Sequence, residues 1–475
     1  MSSTDLCYMP AAEALAAFEA RRLSPVELME AVVERIERLD PLVNAITDRY
    51  FEEALAEAKN AERSYGGHGP APRALEGLPI AIKDETEIAG RVSTSGSFLL
   101  REHVGTHDAP VVERIRASGG IVHARTATPE FSCVPYTHSR LWGITRNPWN
   151  LDFSPGGSSG GAAAALASGM TSLADGSDIG GSIRVPAAYS GVVGYKPPYG
   201  RVPSSPPYSL DTYNHQGPLA RTVADCALLE NVISGWHPRD SATVRESVII
   251  PRELKDVRGL RVALSVDLGG YRVDAGVVRN TLAAGEALRD RGAVVESVSL
   301  EWSPARIRVA MFAHFAAIFA AEMHEFVEGQ HDLLSDYTLR FLELSQESGS
   351  GLLHSMELEA ALQNDLATVF ENHDVLICPT NASEGLVAGD SYLARGPEVD
   401  GVCLDSVYDA VMTTPFNLTS RCPVLSVPSG FGANGVPTGV QIVGAPFDDR
   451  TVFEVGMALE QGLALELVPG IRPPR

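Results

Sequence analysis

The chain has 475 residues, 44% of them hydrophobic and 21% charged, a composition that is ordinary for a globular protein. Its formal net charge of −22 at pH 7 disfavours a broad phosphate-binding face, so no nucleic-acid partner is expected. No apolar run approaches the length of about 18 residues that a membrane span needs. Met1–Pro10 lacks the basic segment followed by an apolar one that marks a secretory signal. We therefore expect a cytoplasmic protein with no membrane association.

The cysteines and histidines form no metal-binding pattern. None of the six cysteines belongs to a C-x-x-C motif or has zinc-site spacing to a histidine, and the 12 histidines include no H-E-x-x-H motif. The sequence also contains no phosphate-binding loop of the form G-x-x-x-x-G-K-[ST]. It therefore predicts isolated thiols, no metal and no cofactor.

Lysine is rare in this chain. The 38 basic residues include only four lysines, Lys59, Lys83, Lys196 and Lys255. Arginine cannot accept a proton near neutral pH, whereas a buried lysine can. The rarity of lysine therefore makes each of the four more informative, since a buried one could act as a proton-accepting base.

The first 70 residues predict a helical segment that packs on the core. Ser24–Glu27 reads S-P-V-E, a capping box with proline at the first helical position. Leu28, Val32, Ile36 and Leu39 follow at helical spacing as one apolar stripe. Pro41 is expected to end this helix, and a second helix is predicted over Phe51–Arg63.

Residues 71–475 are expected to form one α/β domain. Short apolar strands alternate with helices, a pattern that favours a parallel or mixed central sheet with helices on both sides. The predicted strands are Pro79–Lys83, Ile121–Ala124, Gly191–Tyr195, Leu260–Val266, Val294–Leu300 and Asp374–Cys378, followed by a hairpin of Pro423–Val427 and Thr438–Val443. The predicted helices are Ala109–Ser118, Ala162–Ser168, Leu219–Ile233, Asp274–Asp290 and Arg450–Gln461; residues 301–372 are mainly helical, and Pro238–Lys255 is a loop.

Two glycine-serine clusters lie between Ser154 and Pro197, at residues 156–161 and 180–182. A flexible linker would stay rich in glycine and serine, but the first cluster runs into an alanine-rich segment that favours a helix. Ser158 and Ser182 are 24 residues apart, and Gly-Gly precedes each of them. These clusters predict two shaped loops that flank a short packed helix.

The second cluster and Lys83 contain the residue types that nucleophilic catalysis by a serine would need. A serine hydroxyl needs a base to remove its proton and donors for the charge that develops on the carbonyl oxygen. The backbone of Ile179–Ser182 can point successive N–H groups into one cavity. Burial at the end of an apolar strand would lower the pKa of Lys83 towards the range of a useful base. Taken alone, Gly-Gly-Ser is more often a tight turn, and such a lysine more often lies on the surface.

The stretch Gly77–Asp84 reads G-L-P-I-A-I-K-D, Pro155–Gly161 reads P-G-G-S-S-G-G, and Gly176–Arg184 reads G-S-D-I-G-G-S-I-R. Together they resemble the amidase signature family, serine hydrolases with a Ser–cisSer–Lys triad. The resemblance runs from about Leu75 to Arg221 and returns at Thr414–Ala445. It implies a single domain with a mixed sheet covered by helices, core motifs over 75–221 and a variable substrate-side region over 300–410.

The resemblance implies roles for residues in these motifs. Ser182 is the expected nucleophile, Lys83 the base, and Ser158, in a cis peptide, the relay between them; the 24-residue spacing selects Ser158 over Ser159. The expected oxyanion hole is Ile179, Gly180, Gly181 and Ser182. The expected supporting residues are Ser159, Ser177, Asp178 and Arg184, with Ser177 where many family members have threonine.

The expected substrate is a small neutral amide, cleaved through an acyl-enzyme. Phe131, Tyr136 and Trp142 follow Thr128–Glu130, where the resembled family lines its acyl pocket, and are candidates for the pocket wall; the aromatic residues of 312–341 are candidates for the other wall. Such a pocket would favour apolar or aryl acylamides, and the family also includes urethanases, so aryl carbamates are expected too. Arg140 and Arg146 are cations that could instead pair with a substrate carboxylate.

Other functions remain open at this point. A transamidase subunit of a tRNA-dependent amidotransferase would share the triad and release ammonia from glutamine, and a binding protein could use the same fold without catalysis. The pattern Gly156-x-Ser158-x-Gly160 also fits a nucleophile elbow, but Pro155 and a loop precede it where a strand is required. The oligomeric state is open, with a homodimer among the options.

Overall fold

The computed structural model describes residues 2–252, 256–348 and 351–463, without the Glu325 side chain. Lys255 and the end of the predicted loop Pro238–Lys255 therefore lie outside the described residues. The helices are α1 (Ser3–Cys7), α2 (Ala11–Glu19), α3 (Pro25–Val43), α4 (Phe51–Tyr65), α5 (Pro110–Ala117), α6 (Gly160–Ala167), α7 (Arg184–Ser190), α8 (Val223–Ile233), α9 (Ala275–Asp290), α10 (Pro304–Ala317), α11 (Phe319–Val327), α12 (Asp336–Glu347), α13 (Gly351–Asn372), α14 (Pro415–Leu418) and α15 (Asp449–Gly462).

In the described part of the chain, the strands form one large sheet and two small two-stranded ribbons. They are β1 (Ile46–Arg49), β2 (Pro79–Lys83), β3 (Ile121–Thr126), β4 (His138–Ser139), β5 (Gly143–Ile144), β6 (Leu173–Asp178), β7 (Val193–Lys196), β8 (His215–Ala220), β9 (Arg261–Leu264), β10 (Val294–Ser297), β11 (Val375–Pro379), β12 (Glu398–Val399), β13 (Val402–Cys403), β14 (Val424–Phe431) and β15 (Pro437–Gly444). The described part of the large sheet has 11 strands in the order β1-β3-β2-β6-β8-β7-β14-β15-β11-β9-β10. β2 is parallel to both β3 and β6, whereas β8 is antiparallel to β6 and β7.

Both faces of the sheet are buried. Side chains of a strand alternate between faces, and along β15 Ile442 belongs to one hydrophobic cluster while Val443 belongs to another. The first cluster includes residues of α3, α8 and α15, and the second includes residues of α10, α12 and α13. The molecule is therefore a single α/β domain with a mixed sheet covered by helices on both sides, as the sequence predicts.

Three strands of the large sheet are missing from the sequence prediction. β1 lies inside the segment predicted as helical and pairs with β3 at the sheet edge. β6 and β8 contain aspartate, glycine or proline at Asp175, Gly176, Gly217 and Pro218, residue types that are depleted in strands. They nevertheless form strands because each pairs with a neighbouring strand on both sides, and these hydrogen bonds outweigh the low strand propensity of their residues.

The capping box of α3 forms as predicted, with the Ser24 hydroxyl accepting from the backbone of the first turn. The helix does not end at Pro41, however, but continues to Val43. Asn44 then closes it in the left-handed conformation, with φ of 55°. Proline in the last turn leaves the rest of the helix intact.

Among the helices of the described residues, none combines the length and the apolar character that a membrane span requires.

Candidate active site

Two parallel neighbours of the sheet, β2 and β6, bring the candidate residues together. Ile80 lies beside Leu173 in their register, so both strands end at the same edge. Lys83 is the last residue of β2, and Ser177 and Asp178 end β6. The loops that follow β6 and precede α6 carry the two candidate serines. The charged and hydroxyl side chains therefore converge at one edge of the sheet.

Lys83 is completely buried and is surrounded by hydrogen-bond partners. Its Nζ donates to Ser158 Oγ at 2.7 Å and to Ser177 Oγ at 2.9 Å, and it lies 3.1 Å from Glu85 Oε1. Burial lowers the pKa of Lys83, although the nearby carboxylates, Glu85 foremost, oppose this shift. Removal of a proton from this ammonium is thus easier than in water.

Asp175 fixes the backbone at Lys83. Its Oδ1 accepts from the Lys83 backbone N–H at 2.6 Å, and its Oδ2 accepts from Thr86 Oγ1 at 2.8 Å. Burial raises the pKa of this carboxyl group to about 6, against the lowering effect of these hydrogen bonds. The strand end that carries Lys83 is therefore tied to β6 through a side chain as well as through the sheet.

Ser158 follows a cis peptide bond between Gly157 and Ser158. A side chain at position 157 would not fit, since its Cβ would lie 2.5 Å from the Tyr136 carbonyl oxygen. The next residue, Ser159, donates its backbone N–H to the carbonyl of Ser182 at 3.0 Å, which joins the two glycine-serine loops. Its hydroxyl donates to the Ser177 carbonyl at 3.4 Å.

The loop Ile179–Ser182 presents unused backbone donors. The Gly180 carbonyl accepts from Thr413 Oγ1 at 2.7 Å, and Gly181 has φ of +132°, a conformation that favours glycine. The N–H groups of Gly180, Gly181 and Ser182 donate to no acceptor among the described residues. Ser182 is 9% exposed and lines a cavity together with these residues. The loop therefore has the donors that an oxyanion hole needs.

Asp178 and Arg184 hold this loop at both ends. Both side chains are fully buried, and Arg184 donates to Asp178 through Nε at 3.0 Å and Nη2 at 2.9 Å. Asp178 Oδ2 also accepts from the backbone N–H of Ile183 at 3.3 Å. Burial alone would raise the pKa of Asp178, but the Arg184 guanidinium and hydrogen bonds, including one from Asn417, hold it well below its usual range.

Two cavities meet at the candidate serines. The smaller one, about 400 Å³ including its mouth, is bordered by Ile179–Ser182 and is otherwise mostly apolar. Its apolar walls include Cys133, Val134, Pro135, Val185, Met311, Phe315, Phe319, Phe341, Tyr408 and Val411. The larger one, about 1590 Å³ including its mouth, is bordered by Ser158, Ser177 and Glu85. The two cavities share Ser132, Ile179 and Phe319 as a common border.

The three aromatic candidates for the pocket lie in different places. Phe131 lines the larger cavity. Tyr136 lines a separate cavity and stacks on His138, with ring centroids 4.9 Å apart. Trp142 donates its indole N–H to Thr94 Oγ1 at 2.9 Å. Only Phe131 of the three therefore borders the space beside the candidate serines.

Several residues of the site were not singled out in the sequence. Glu85 contacts Lys83, Thr413 holds Gly180, and Asn417 and Gln441 complete the shell of Arg184. Glu85 lies two residues after Lys83, in the turn that follows β2, and its nearness in sequence to the candidate base was a usable signal. The other three come from distant segments that only the sheet topology brings near.

Comparison of the sequence with known proteins identifies the family to which the chain belongs. The amidase family model matches residues 27–453. An acylamidase of Rhodococcus erythropolis is 32% identical over 97% of this chain and 96% of its own length. A glutamyl-tRNA(Gln) amidotransferase subunit of Carboxydothermus hydrogenoformans is 31% identical over 96% of this chain and 98% of its own.

Structural similarity agrees. A bacterial aryl acylamidase of the amidase signature family superimposes with a TM-score of 0.91 and 28% identity, covering 98% of this chain and 99% of that one. The chain therefore belongs to the amidase signature family, and it is an amidohydrolase that acts on small-molecule amides.

Proposed function

We propose that the protein hydrolyses neutral aryl or apolar acylamides through an acyl-enzyme on Ser182. The observation that carries this proposal is the contact of 2.7 Å between the buried Lys83 Nζ and Ser158 Oγ. This contact supports Lys83 as the base, because burial lowers its pKa and its partner Ser158 borders one cavity while Ser182 borders the adjoining one. A nucleophile, a relay and a base then form one unit.

The proposed reaction moves one proton forward and back. Ser182 Oγ attacks the carbonyl carbon while its proton passes to Ser158 Oγ, and the proton of Ser158 passes to neutral Lys83. The N–H groups of Gly180, Gly181 and Ser182 stabilise the oxyanion. When the C–N bond breaks, the proton returns through Ser158 to the departing amine. A water molecule then attacks the acyl carbon and gives a proton through Ser158 to Lys83; the bond from this carbon to Ser182 Oγ breaks, the proton returns to Ser182 Oγ, and the acid leaves.

The two cavities suggest how the substrate lies. The departing nitrogen must receive its proton from Ser158, so we assign the larger cavity, which Ser158 borders, to the amine side. The acyl group then occupies the smaller apolar cavity, where Met311, Phe315 and Phe341 supply the wall. These residues fall in the variable segment 300–410, which supports a substrate-side role for it.

Charge favours neutral substrates over glutamine. Among the described residues that line the two cavities there is no lysine or arginine. Arg140 instead donates to the carbonyls of Asp332 and Leu334, and Arg146 donates to the carbonyl of Leu151. A substrate carboxylate in either cavity would lose hydration without gaining a cation.

A substrate comparison tests the proposal. We expect kcat/KM to be highest for an anilide, lower for an aryl carbamate and lowest for glutamine and malonamate, each measured as released amine or ammonia. Higher kcat/KM for glutamine would favour the transamidase function and contradict the apolar pocket. Absence of hydrolysis in the whole panel would leave a binding function instead.

We also propose a cytoplasmic location and a shared folding unit. All six cysteines are free thiols, five of them buried, as suits a reducing compartment. The N-terminal segment 1–70 packs on the core and adds β1 to the sheet edge beside β3, so we propose that it folds with the remainder of the chain. Cell fractionation and the solubility of a chain lacking residues 1–70 test these two points.

A further inference from the structure

Glu85 lies where β2 ends and contacts the candidate base directly. Its Oε1 is 3.1 Å from Lys83 Nζ and also accepts a hydrogen bond from Ser177 Oγ. Ser177 Oγ in turn accepts from Lys83 Nζ at 2.9 Å. Lys83, Glu85 and Ser177 therefore contact one another pairwise, and the Lys83 ammonium is one member of this set of three.

The other oxygen of Glu85 is held from a separate segment. Ser132 Oγ donates to Glu85 Oε2 and lies 2.7 Å from Thr128 Oγ1. Ser132 has φ of 57° and Phe131 has φ of 50°, left-handed values that are uncommon outside glycine. The Phe131 N–H donates to the Ser95 carbonyl at 2.7 Å, which helps to hold this backbone. The chain thus maintains an unfavoured conformation where a hydroxyl is directed at Glu85.

The other charges near Lys83 have partners of their own. Asp178 pairs with Arg184, and Asp175 accepts from the Lys83 backbone N–H and from Thr86. Asp84, beside Lys83 on the chain, accepts from Thr94 and lies 3.7 Å from Arg125. Among the described residues, Glu85 is the carboxylate that contacts Lys83 Nζ itself.

We infer that Glu85 is a positioning residue of the catalytic unit, whose carboxylate stabilises and orients the Lys83 ammonium formed during acyl transfer. This inference rests on the proposed roles of Lys83 and Ser158. A fully buried ammonium has no water to stabilise it, so each proton transfer to Lys83 would be unfavourable without a fixed counter-ion. Glu85 gives the base the third, orienting partner that nucleophile–base units use.

Glu85→Gln tests this role because it keeps the shape and removes the charge. The Glu85 carboxylate raises the pKa of Lys83 against the effect of burial, so its removal should lower that pKa. The acid limb of kcat/KM against pH should then move to lower pH by about one unit or more. The plateau of kcat should fall about 10-fold, since the ammonium loses its counter-ion and the base is weaker. A merely structural role would lower the plateau without moving the limb.

Two further variants complete the design. Glu85→Asp keeps the charge, so its acid limb should stay near that of the wild type while the plateau recovers in part. Glu384→Gln removes a carboxylate that bonds the Ala433 backbone N–H, and it should change neither quantity. The inference is overturned if the acid limb of the kcat/KM profile of Glu85→Gln lies at the wild-type pH. It is also overturned if Glu85→Asp and Glu85→Gln have their acid limbs at the same pH. Full activity in Lys83→Ala would instead refute the proposed function on which it rests.

Discussion

Lys83 Nζ and Ser158 Oγ lie 2.7 Å apart, although 75 residues separate them in the chain. If they transfer one proton as a unit, their substitutions should not be additive. We expect Lys83→Ala and Ser158→Ala each to lose most activity, and the double variant to be little worse than the worse single one. Single-turnover rates for one anilide measure this, and independent losses that multiply would contradict the relay.

Activity should rise with pH as Lys83 loses its proton. Burial lowers the pKa of Lys83, so the base is increasingly neutral as the pH rises through that value. We expect kcat/KM for an anilide to increase over part of the range from about pH 6 to 9. A flat profile, with the chemical step shown to limit the rate, would count against Lys83 as the base.

Ser182→Ala should abolish turnover while leaving the fold intact, because the acyl-enzyme is expected to form on this hydroxyl. We expect a loss of well over 100-fold in kcat, since removal of a nucleophile costs far more than that in comparable enzymes. Ser429→Ala is a matched control in the β14–β15 hairpin, where the hydroxyl pairs with Thr438. Residual activity above about one hundredth of wild type in Ser182→Ala would contradict the assignment.

Gly181→Ala should damage the loop that supplies the oxyanion donors. A Cβ at this position would lie 1.9 Å from Thr413 Oγ1, and φ of +132° strains any side chain. We expect kcat to fall about 100-fold or more, the scale of a lost oxyanion donor. Gly90→Ala is the control, because Gly90 also has positive φ but an added Cβ meets nothing within 4 Å. Near wild-type kcat in Gly181→Ala, as expected for Gly90→Ala, would contradict a catalytic role for this loop.

Arg184→Gln should destabilise the protein strongly. It would leave Asp178 charged and buried without its cation, a change that costs about 3–5 kcal/mol in the free energy of unfolding. Arg272→Gln removes an exposed partner of Asp400 and should cost less than about 1 kcal/mol. Denaturant titration compares the two, and similar small losses would mean that Arg184 does not anchor the loop.

The same ion pair gives a pH dependence of stability. The pKa of Asp178 is depressed in the folded state, so its stabilising contribution is complete above the ordinary aspartate pKa. That contribution is lost as the pH falls from the ordinary aspartate pKa towards the lower pKa that Asp178 has in the folded protein. Asp178→Asn should therefore flatten the decline of stability in acid, and an unchanged slope would contradict the assignment.

The local patterns predicted much of the fold, because apolar strands and capped helices are encoded in neighbouring residues. Pro79–Lys83 is a strand with the predicted bounds, and the hairpin of β14 and β15 forms. β6 could not be found this way, since every residue of the strand after Leu173 is small or polar and its stability comes from β2 and β8. The formation of β6 therefore depends on pairing with segments that are distant in the sequence.

The candidate site divides in the same way. The candidate serines, Lys83 and the glycines lie in short motifs, and the order and spacing of these motifs predicted the catalytic site. Thr413 and Asn417 reach Gly180 and Asp178 from more than 200 residues away, and no local pattern indicates such contacts. Of the candidates Phe131, Tyr136 and Trp142, only Phe131 borders either of the two cavities; a position in the sequence near a motif does not show which space a ring faces.

The place of Lys83 in β2 has a consequence for heating. β2 is bonded to β3 on one side and β6 on the other, so the base belongs to the interior of the sheet rather than to a loop. Amide protons in such strands exchange with solvent only when the whole domain opens. Thermal displacement of Lys83 from its place in the site should therefore coincide with global melting, which parallel measurements of β2 amide exchange and thermal unfolding would test.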